Sequence, residues 1–351
     1  MKTFLSYPSY RQLLYTPDGR QVETQELTGQ ILLILDIFDH RVLGSIFEKF
    51  GRPNCIISDS YANCNEEFEV PFYYANLWLD TELVRFKKQK LKLSNQANTT
   101  RCANIAVNKH QLNRYLGLKF CEIFNVNMNY TWSGTGRNAT LMSVVNDLEG
   151  IKDKNIEPYL SKILSPINLA TQWHTINYTE KNDNNAVINY GSNPDVWNKI
   201  LFDKMSSSAT SLITESMTLQ KISPYSEKTL FSVLALTFPI FVGGYSMAST
   251  WQQAGFDIFD DIIDHSYENM PTLIQRCFYA FYLNKQILTD IDYAREKRTQ
   301  CLHRLQNNRQ LILSDQVSKA NKIQMQTWPE QIYTEIKTVL SQLSTHNTIN
   351  I

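Results

Sequence analysis

Glu227 and Lys228 stand side by side at the predicted start of an apolar helix. Ser226 precedes them and can cap the helix. A cation in the first turn is disfavoured by the helix dipole, so Lys228 is the unexpected residue of the pair. An ammonium group suits a phosphate, and a carboxylate can accept hydrogen bonds from the vicinal hydroxyls of a ribose. The pair therefore suggests a nucleotide site; the alternative is an ordinary charged helix start at the protein surface.

The segment after this pair predicts the elements that must position it. The helix is predicted to bury one apolar face and to stop at Pro239, and the face consists of Leu230, Phe231, Val233, Leu234 and Phe238. Residues 239–244 (PIFVGG) then predict a buried strand, and residues 245–256 a second helix ended by Gly255. In open α/β sheets, ligands bind where the carboxyl end of a parallel strand leads into a helix.

The rest of the chain alternates between predicted strands and predicted helices. Residues 30–38 are compatible with a strand or a helix, and residues 83–98 with a linker or with a solvated helix and loop. Predicted strands cover residues 54–61, 102–107, 129–134 and 209–216, and predicted helices cover residues 41–50, 110–124, 195–205, 272–287, 294–307 and 328–343. This alternation is typical of doubly wound parallel sheets.

Composition limits the functions that the chain can have. The 351 residues carry 34 basic and 34 acidic side chains, so no general attraction to nucleic acid is expected. The basic run at residues 85–92 is nevertheless compatible with a local groove that binds nucleic acid. The apolar runs at residues 31–38 and 230–242 are too short to span a bilayer. The six cysteines form no CxxC pair, which favours reduced thiols. We expect a soluble, cytoplasmic protein without membrane insertion.

The sequence ITES, followed by ISPYSEKTLFSVLALTFPIFVGGYSMASTWQQAGF, resembles the carboxyl-terminal half of GT-B glycosyltransferases. It is similar in particular to the α1,3-fucosyltransferases, whose donor motif has Ser/Thr-Glu-Lys at a helix start, an apolar helix and a Pro-Ile/Val strand. Extended through GFDIFDDIIDHSYEN, it also resembles uncharacterised proteins common in phages and giant viruses. The resemblance covers residues 103–288.

The resemblance implies an α/β fold with two Rossmann-like domains, parallel sheets and carboxyl-terminal helices that pack back across the domains. Residues 1–98 would form the acceptor-side domain, residues 99–293 the donor-binding domain and residues 294–351 the final helices. We also expect the two domains to have separate sheets with a cleft between them.

The resemblance also implies roles for individual residues. Glu227 would bind the nucleotide ribose, Lys228 the donor phosphates and Arg114 the diphosphate; the alternative for Arg114 is an ordinary arginine on a helix surface. The remaining donor-side residues lie in the loops after the first two strands of this half, namely Asn108, Lys109, His110, Tyr130 and Trp132. Tyr130 or Trp132 would stack on the base, or else belongs to the core. The Asn-rich residues 180–194 depart from the family pattern, so the contact with the base edge stays open.

An inverting GT-B enzyme needs a base from the amino-terminal domain to deprotonate the acceptor hydroxyl. The candidates near predicted strand ends are Asp36, Asp39, His40 and Asp59, and each of them also has a structural interpretation. No metal site is predicted, and Asp260, Asp261 and Asp264 are interpreted as caps and a solvated face. GT-B chemistry needs no metal when helix dipoles and cationic side chains neutralise the leaving diphosphate.

The function expected from the resemblance is transfer of a sugar from a nucleotide-diphosphate sugar, with inversion at the anomeric carbon and without a metal. The nucleotide sugar is a co-substrate, and no cofactor is expected. The acceptor would be a surface glycan or a hydroxymethylated base of phage DNA, and the reaction would take place in the cytoplasm, that of the host if the chain is viral. The alternative is a non-catalytic virion or binding protein that retains the fold.

Overall fold

The computed structural model describes residues 3–6, 14–15, 21–22, 27–34, 46–58, 61–62, 70–74, 93–94, 98–107, 112–131, 148, 151–169, 202–215, 222–223, 227–314 and 325–345. The chain divides into two compact units. The first unit consists of Met1–Thr81, Lys221–Pro224 and Asp315–Ile351, and the second unit of Glu82–Gln220 and Tyr225–Ser314. The sequence had suggested boundaries at residues 98 and 293.

The described elements are numbered in chain order. The strands are β1 Thr3–Ser6, β2 Leu14–Tyr15, β3 Gln21–Val22, β4 Ile31–Ile34, β5 Cys55–Ser58, β6 Tyr61–Ala62, β7 Phe72–Tyr74, β8 Arg101–Ala106, β9 Met128–Thr131, β10 Ser208–Ile213, β11 Ile222–Ser223 and β12 Phe238–Phe241. The α-helices are α1 Leu112–Ile123, α2 Leu160–Leu164, α3 Phe202–Ser206, α4 Glu227–Leu234, α5 Met247–Gln253, α6 Leu273–Leu283, α7 Lys285–Thr289, α8 Ile291–Gln300, α9 Leu302–Leu313 and α10 Glu330–Thr345. Short 3-10 helices cover Glu157–Tyr159 and Ser266–Asn269.

The first unit contains a mixed six-stranded sheet in the order β3-β2-β1-β4-β5-β7. Strands β1, β4, β5 and β7 pair in parallel, whereas β2 and β3 add an antiparallel edge that the sequence did not predict. The short strands β6 and β11 pair separately. Ile31 and Ile57 of this sheet pack against Trp328 and Ile336, so α10 and the residues before it supply much of the core of this unit.

The second unit contains a four-stranded sheet in the order β12-β10-β8-β9, and all of its strands are parallel. This confirms the predicted α/β class with parallel strands for this part of the chain. In chain order the strands run 2-1-3-4 across the sheet, so the winding direction reverses between β8 and β10. Such a reversal separates the helices that follow the two strands and leaves a crevice at the carboxyl end of the sheet.

Alternation of side chains along β10 shows that α1 and α4 lie on opposite faces of this sheet. The Ser211 hydroxyl is 2.7 Å from that of Thr237, which is 3.0 Å from the hydroxyl of Ser232 in α4. Thr214 lies three positions after Ser211, so its side chain points to the opposite face of the sheet. On that face, its methyl group would be 3.3 Å from a Cβ at Gly117 of α1. Gly117 therefore permits a close approach of α1 to the sheet.

The ends of two predicted elements differ from those expected. Helix α4 ends at Leu234, and Phe238 lies in β12 rather than on the apolar face of the helix. Leu236 has a φ of 56°, which ends the helix, and Arg298 donates to the carbonyl oxygens of Ala235 at 3.0 Å and of Leu236 at 2.9 Å. A buried cation at the negative end of a helix is electrostatically favourable.

The helices predicted at residues 272–287 and 294–307 are each divided. The first is interrupted at Asn284, whose side chain donates to the carbonyl oxygen of Ala280 at 3.1 Å and so competes with the helical backbone. The second is divided at Cys301, between α8 and α9. Residues up to Ser314 belong to the second unit, and α10 belongs to the first.

Five cysteines among the described residues are buried and form no disulfide bond, namely Cys55, Cys102, Cys121, Cys277 and Cys301. Burial raises the pKa of Cys55 and of Cys102 to about 11, so both remain thiols at neutral pH. The prediction of reduced thiols is confirmed for these five residues.

Candidate functional site

The candidate site lies at the carboxyl ends of β8 and β10, where the order of the parallel sheet reverses. Two residues, Thr214 and Glu215, follow β10 at this point, and both are buried. The chain segments that begin α1 and α4 both form hydrogen bonds to this pair.

The first turn of α1 contributes Asn113 and Arg114. The Asn113 side-chain amide donates to the carbonyl oxygen of Glu215 at 2.8 Å, and Arg114 Nε donates to the carbonyl oxygen of Thr214 at 3.4 Å. Only 3% of Arg114 is exposed, so this residue is not the ordinary surface arginine that the sequence left open. Its guanidinium group is instead directed to the end of β10.

The first turn of α4 contributes the Glu-Lys pair and the residue after it. The helix begins at Glu227, as predicted, and Lys228 is half-buried. The hydroxyl of Thr229 donates to Oε1 of Glu215 at 2.5 Å, and both residues are 1% exposed. A short hydrogen bond to a carboxylate is among the stronger ones in proteins.

Arg114 and the first turn of α4 are thus bonded to successive residues, although they are separated by more than a hundred positions in the chain. This arrangement follows from the sheet, because parallel strands bring their carboxyl ends to one edge. The Thr214 hydroxyl is buried and has no hydrogen-bond partner among the described residues. An unsatisfied buried hydroxyl is uncommon in a folded protein and is consistent with a site that has a polar ligand.

The third strand end at this edge is the loop after β12, which contains Gly243 and Gly244. Gly243 has a φ of 80°, and Arg276 Nε donates to its carbonyl oxygen at 3.0 Å. The backbone N–H of Ala248 donates to both carboxylate oxygens of Glu268, at 3.1 and 2.9 Å. The start of α5 therefore already has a buried acidic partner from within the chain.

Burial dominates the electrostatics of this loop. Desolvation raises the pKa of Glu268 to about 8, against the lowering effects of the Ala248 N–H and the Arg276 charge. Burial also raises the pKa of Tyr267 well above its usual value, and its hydroxyl oxygen accepts from the N–H of Phe241 at 2.9 Å. Glu268 is therefore largely protonated at neutral pH.

Tyr130 lies in β9, the edge strand next to β8 and one strand further from the reversal point. It is half-buried and packs against the core of the second unit, and burial raises its pKa. This packing agrees with the core interpretation that the sequence left open for Tyr130. A role in base stacking stays a prediction.

Several residues predicted for the site lie outside the described residues. These are the base candidates and the donor-side loop residues, namely Asp36, Asp39, His40, Asp59, Asn108, Lys109, His110, Trp132 and Ser226.

The aspartates near residue 260 have structural partners. Arg304 bridges two carboxylates, with Nε 2.6 Å from Asp257 and Nη1 2.8 Å from Asp261, and this hydrogen bonding lowers the pKa of Asp261. Asp264 accepts from the N–H of Ser266 at 2.9 Å, just before the 3-10 helix, whose N-cap residue is His265. Within the described part of the chain, no group of three or more His, Cys, Asp or Glu side chains is arranged to hold a metal ion.

A shallow pocket of about 270 Å³ lies elsewhere in the second unit, between α9 and Leu93. Arg309 lines it and also donates to the carbonyl oxygen of Leu234, the last residue of α4. The pocket is therefore at the opposite end of α4 from the Glu-Lys pair, and none of the sequence-predicted residues lines it.

The sequence missed the residues that join the two helix starts: Asn113, Thr214, Glu215 and Thr229. The available signal was positional. Glu215 lies near the end of the strand predicted at residues 209–216, and Thr229 directly follows the Glu-Lys pair. Both therefore occupy strand-end and helix-start positions where sites form.

Comparisons of the chain with models of known protein families, with curated proteins and with solved structures found no match. In the regions that the structure describes, no helix combines the length and apolar character needed to cross a membrane.

Proposed function

We propose that the chain is a glycosyltransferase that moves a sugar from a nucleotide-diphosphate sugar to an acceptor hydroxyl. The observation that supports this proposal is the convergence of Arg114 and the first turn of α4, which carries Lys228, on Thr214 and Glu215 at the reversal point of a parallel sheet. Two cationic side chains and a helix start at this position suit the diphosphate of a donor.

The chemistry that these residues supply is stabilisation of the leaving group. When the bond between the sugar and the diphosphate breaks, negative charge develops on the phosphate oxygens. Arg114 and Lys228 donate charge-assisted hydrogen bonds to those oxygens, and the positive end of the α4 helix dipole adds to their effect. Glu227 accepts hydrogen bonds from the ribose hydroxyls, and Asn108, Lys109, Tyr130 and Ser226 complete the donor side in this proposal.

The acceptor side of the proposal follows the GT-B pattern. A second Rossmann-like domain would supply the base, from Asp36, Asp39 or Asp59, and the reaction would invert the anomeric centre without a bound metal. The acceptor would be a surface glycan or a hydroxymethylated base in DNA, in the cytoplasm of the cell or of an infected host. Binding of duplex DNA that weakens steeply with salt would favour the second acceptor.

Thermal unfolding with UDP, GDP and CDP tests the donor site. A nucleotide present at 100 times its Kd raises the free energy of unfolding by about 2.7 kcal/mol. We expect one of the three to raise the Tm of the parent chain and to have a much smaller effect on Lys228→Ala. Lys285→Ala, which removes an exposed lysine from α7, is the matched control and should respond like the parent.

Two outcomes would contradict the proposal. If none of the three nucleotides raises the Tm, the chain has no donor site of this kind. If a nucleotide binds but the corresponding nucleotide sugars are neither hydrolysed nor used with any glycan or DNA acceptor, the chain is a binding or virion protein with a retained fold.

A further inference from the structure

Glu215 is a buried acidic residue at the proposed donor site. It follows Thr214 after the end of β10, at the edge of the sheet where the diphosphate is proposed to bind, and it is 1% exposed. A buried polar side chain needs hydrogen-bond partners, and the contacts of Glu215 indicate its role.

The side chain and the backbone of Glu215 hold different helices. Its Oε1 accepts the hydroxyl of Thr229 at 2.5 Å, in the first turn of α4, and its carbonyl oxygen accepts the side-chain amide of Asn113 at 2.8 Å, in the first turn of α1. Because α1 and α4 lie on opposite faces of the sheet, Glu215 links their first turns across the reversal point. Arg114 adds its own bond to the preceding carbonyl oxygen of Thr214 at 3.4 Å.

Thr229 is bonded in a position that fixes Lys228. Successive residues of a helix differ by a rise of about 1.5 Å and a rotation of about 100°, so the position of one determines the backbone position of the next. A bond from the Thr229 side chain to the end of β10 therefore fixes the start of the Lys228 side chain relative to Arg114. Binding of one diphosphate by two cations requires this separation to be maintained.

We propose that Glu215 is a positioning residue that, through Thr229, holds the first turn of α4 at the separation from Arg114 at which Lys228 and Arg114 bind the same diphosphate. This inference rests on the proposed donor site. It assigns Glu215 and Thr229 no contact with the donor, so their loss acts only through Lys228.

Substitution of Thr229 tests this role. Thr229→Val keeps the shape of the side chain but removes the hydroxyl that donates to Glu215. Thr229→Ser keeps this hydroxyl. In titration calorimetry on folded protein, we expect Thr229→Val to weaken binding of the nucleoside diphosphate by about five- to tenfold. Thr229→Ser should stay within about twofold of the parent, because the hydroxyl is restored.

Thr237→Val is the matched control. Thr237 is also 1% exposed, and its hydroxyl bonds to Ser211 and Ser232 within the same sheet and α4, away from the helix start. This variant should lose thermal stability to a similar extent but bind the nucleotide within about twofold of the parent. A purely structural role of Thr229 would make the two valine variants alike in both measurements.

Combination with Lys228→Ala distinguishes action through the lysine from direct action. In the Lys228→Ala background, Thr229→Val should cause less than about a twofold further loss of affinity. If Thr229→Val does not fold, Thr229→Ala replaces it with the same expectations.

The positioning role is overturned if the parent binds nucleotide and Thr229→Val binds it equally well, or if the losses from the two substitutions multiply. A parent chain that binds no nucleoside diphosphate would instead overturn the donor site itself, and this inference with it.

Discussion

Lys228 is a half-buried cation in the first turn of α4, at the positive end of the helix dipole. Its neighbour Thr229 is hydrogen-bonded to Glu215, and Arg114, distant in the chain, is hydrogen-bonded to Thr214. At the scale of single residues, the site consists of positive charge held at a strand end by buried hydrogen bonds. Two predictions follow from the charges of individual side chains.

The first concerns the Glu-Lys pair. Lys228→Ala should weaken both nucleoside diphosphate and inorganic pyrophosphate by about 10- to 150-fold, which corresponds to the loss of a charge-assisted hydrogen bond of about 1.5–3 kcal/mol. Glu227→Ala should weaken only the nucleoside diphosphate, because pyrophosphate has no ribose. Titration calorimetry with both ligands measures the difference, and equal binding by parent and variants would show that the pair is only a helix start.

The second concerns Glu268, whose pKa is raised from 4.5 to about 8 by burial. Between these values the folded chain retains a proton that the unfolded chain has lost, so this residue makes the protein less stable as the pH rises. Glu268→Gln retains an oxygen that accepts from the Ala248 N–H but cannot ionise. We expect the variant to gain stability relative to the parent from pH 5 to pH 8, by up to about 1.4 kcal/mol per pH unit.

Chemical denaturation at several pH values measures this gain. Glu296→Gln, in which an exposed glutamate of α8 is replaced, serves as the control and should show no such trend. A stability difference between Glu268→Gln and the parent that stays constant with pH would contradict the assignment.

At the scale of elements, the loop between β12 and α5 is closely packed and hydrogen-bonded. Gly243 has a φ of 80°, and a Cβ at this position would lie 2.6 Å from Leu273 Cδ1 and 2.9 Å from Cys277 Sγ. The backbone of Phe241, Gly243 and Ala248 forms hydrogen bonds with the side chains of Tyr267, Arg276 and Glu268, respectively. The loop conformation is thus determined by packing against the 3-10 helix and α6.

Gly243→Ala should therefore be more destabilising than Gly255→Ala. Both glycines have a positive φ, but a Cβ at Gly255 meets only Leu311 Cδ2, at 3.8 Å. Backbone strain costs each variant about 1–2 kcal/mol, and overpacking should add about 1–3 kcal/mol for Gly243→Ala alone. Denaturant midpoints of the two variants measure the difference, and equal midpoints would contradict the predicted clash.

At the scale of the whole molecule, the chain forms two compact units with separate sheets and separate cores. The core of the first unit combines the beginning of the chain with its end, since Trp328 and α10 pack on β4 and β5. The core of the second unit includes Phe120 of α1 and Phe278 of α6, whose rings are 5.7 Å apart. A substitution that destabilises one core is expected to lower the stability mainly of the unit that contains it.

Trp328→Ala should remove about 3–5 kcal/mol of stability from the first unit, because a large buried side chain leaves a cavity. Hydrogen exchange should then become faster in β4 and β5 and stay unchanged in β8 and β10. Phe120→Ala is the reciprocal variant and should show the opposite distribution. Equally faster exchange in both sheets for either variant would mean that the two units unfold as one.

The sequence alone determined the elements around the site. Strands β8, β10 and β12 and helices α1 and α4 lie within a few residues of their predicted positions, and α4 begins at Glu227 as predicted. These predictions succeeded because apolar periodicity, caps and glycine or proline stops are local signals. The same local signals failed at Phe238, which lies beyond the left-handed Leu236 that ends the helix. They also failed at Asn284, whose side chain bonds to the carbonyl oxygen of Ala280 and divides a helix.

Only the tertiary structure decided which residues meet. The reversal of strand order between β8 and β10 brings Asn113 to Glu215 and Arg114 to Thr214, and Thr229 was recognisable as a partner of Glu215 only after both had been placed. The order of strands in a sheet depends on the pairing and burial of all its segments together. No single stretch of sequence contains that information, because a hydrogen bond between residues a hundred positions apart leaves no local pattern.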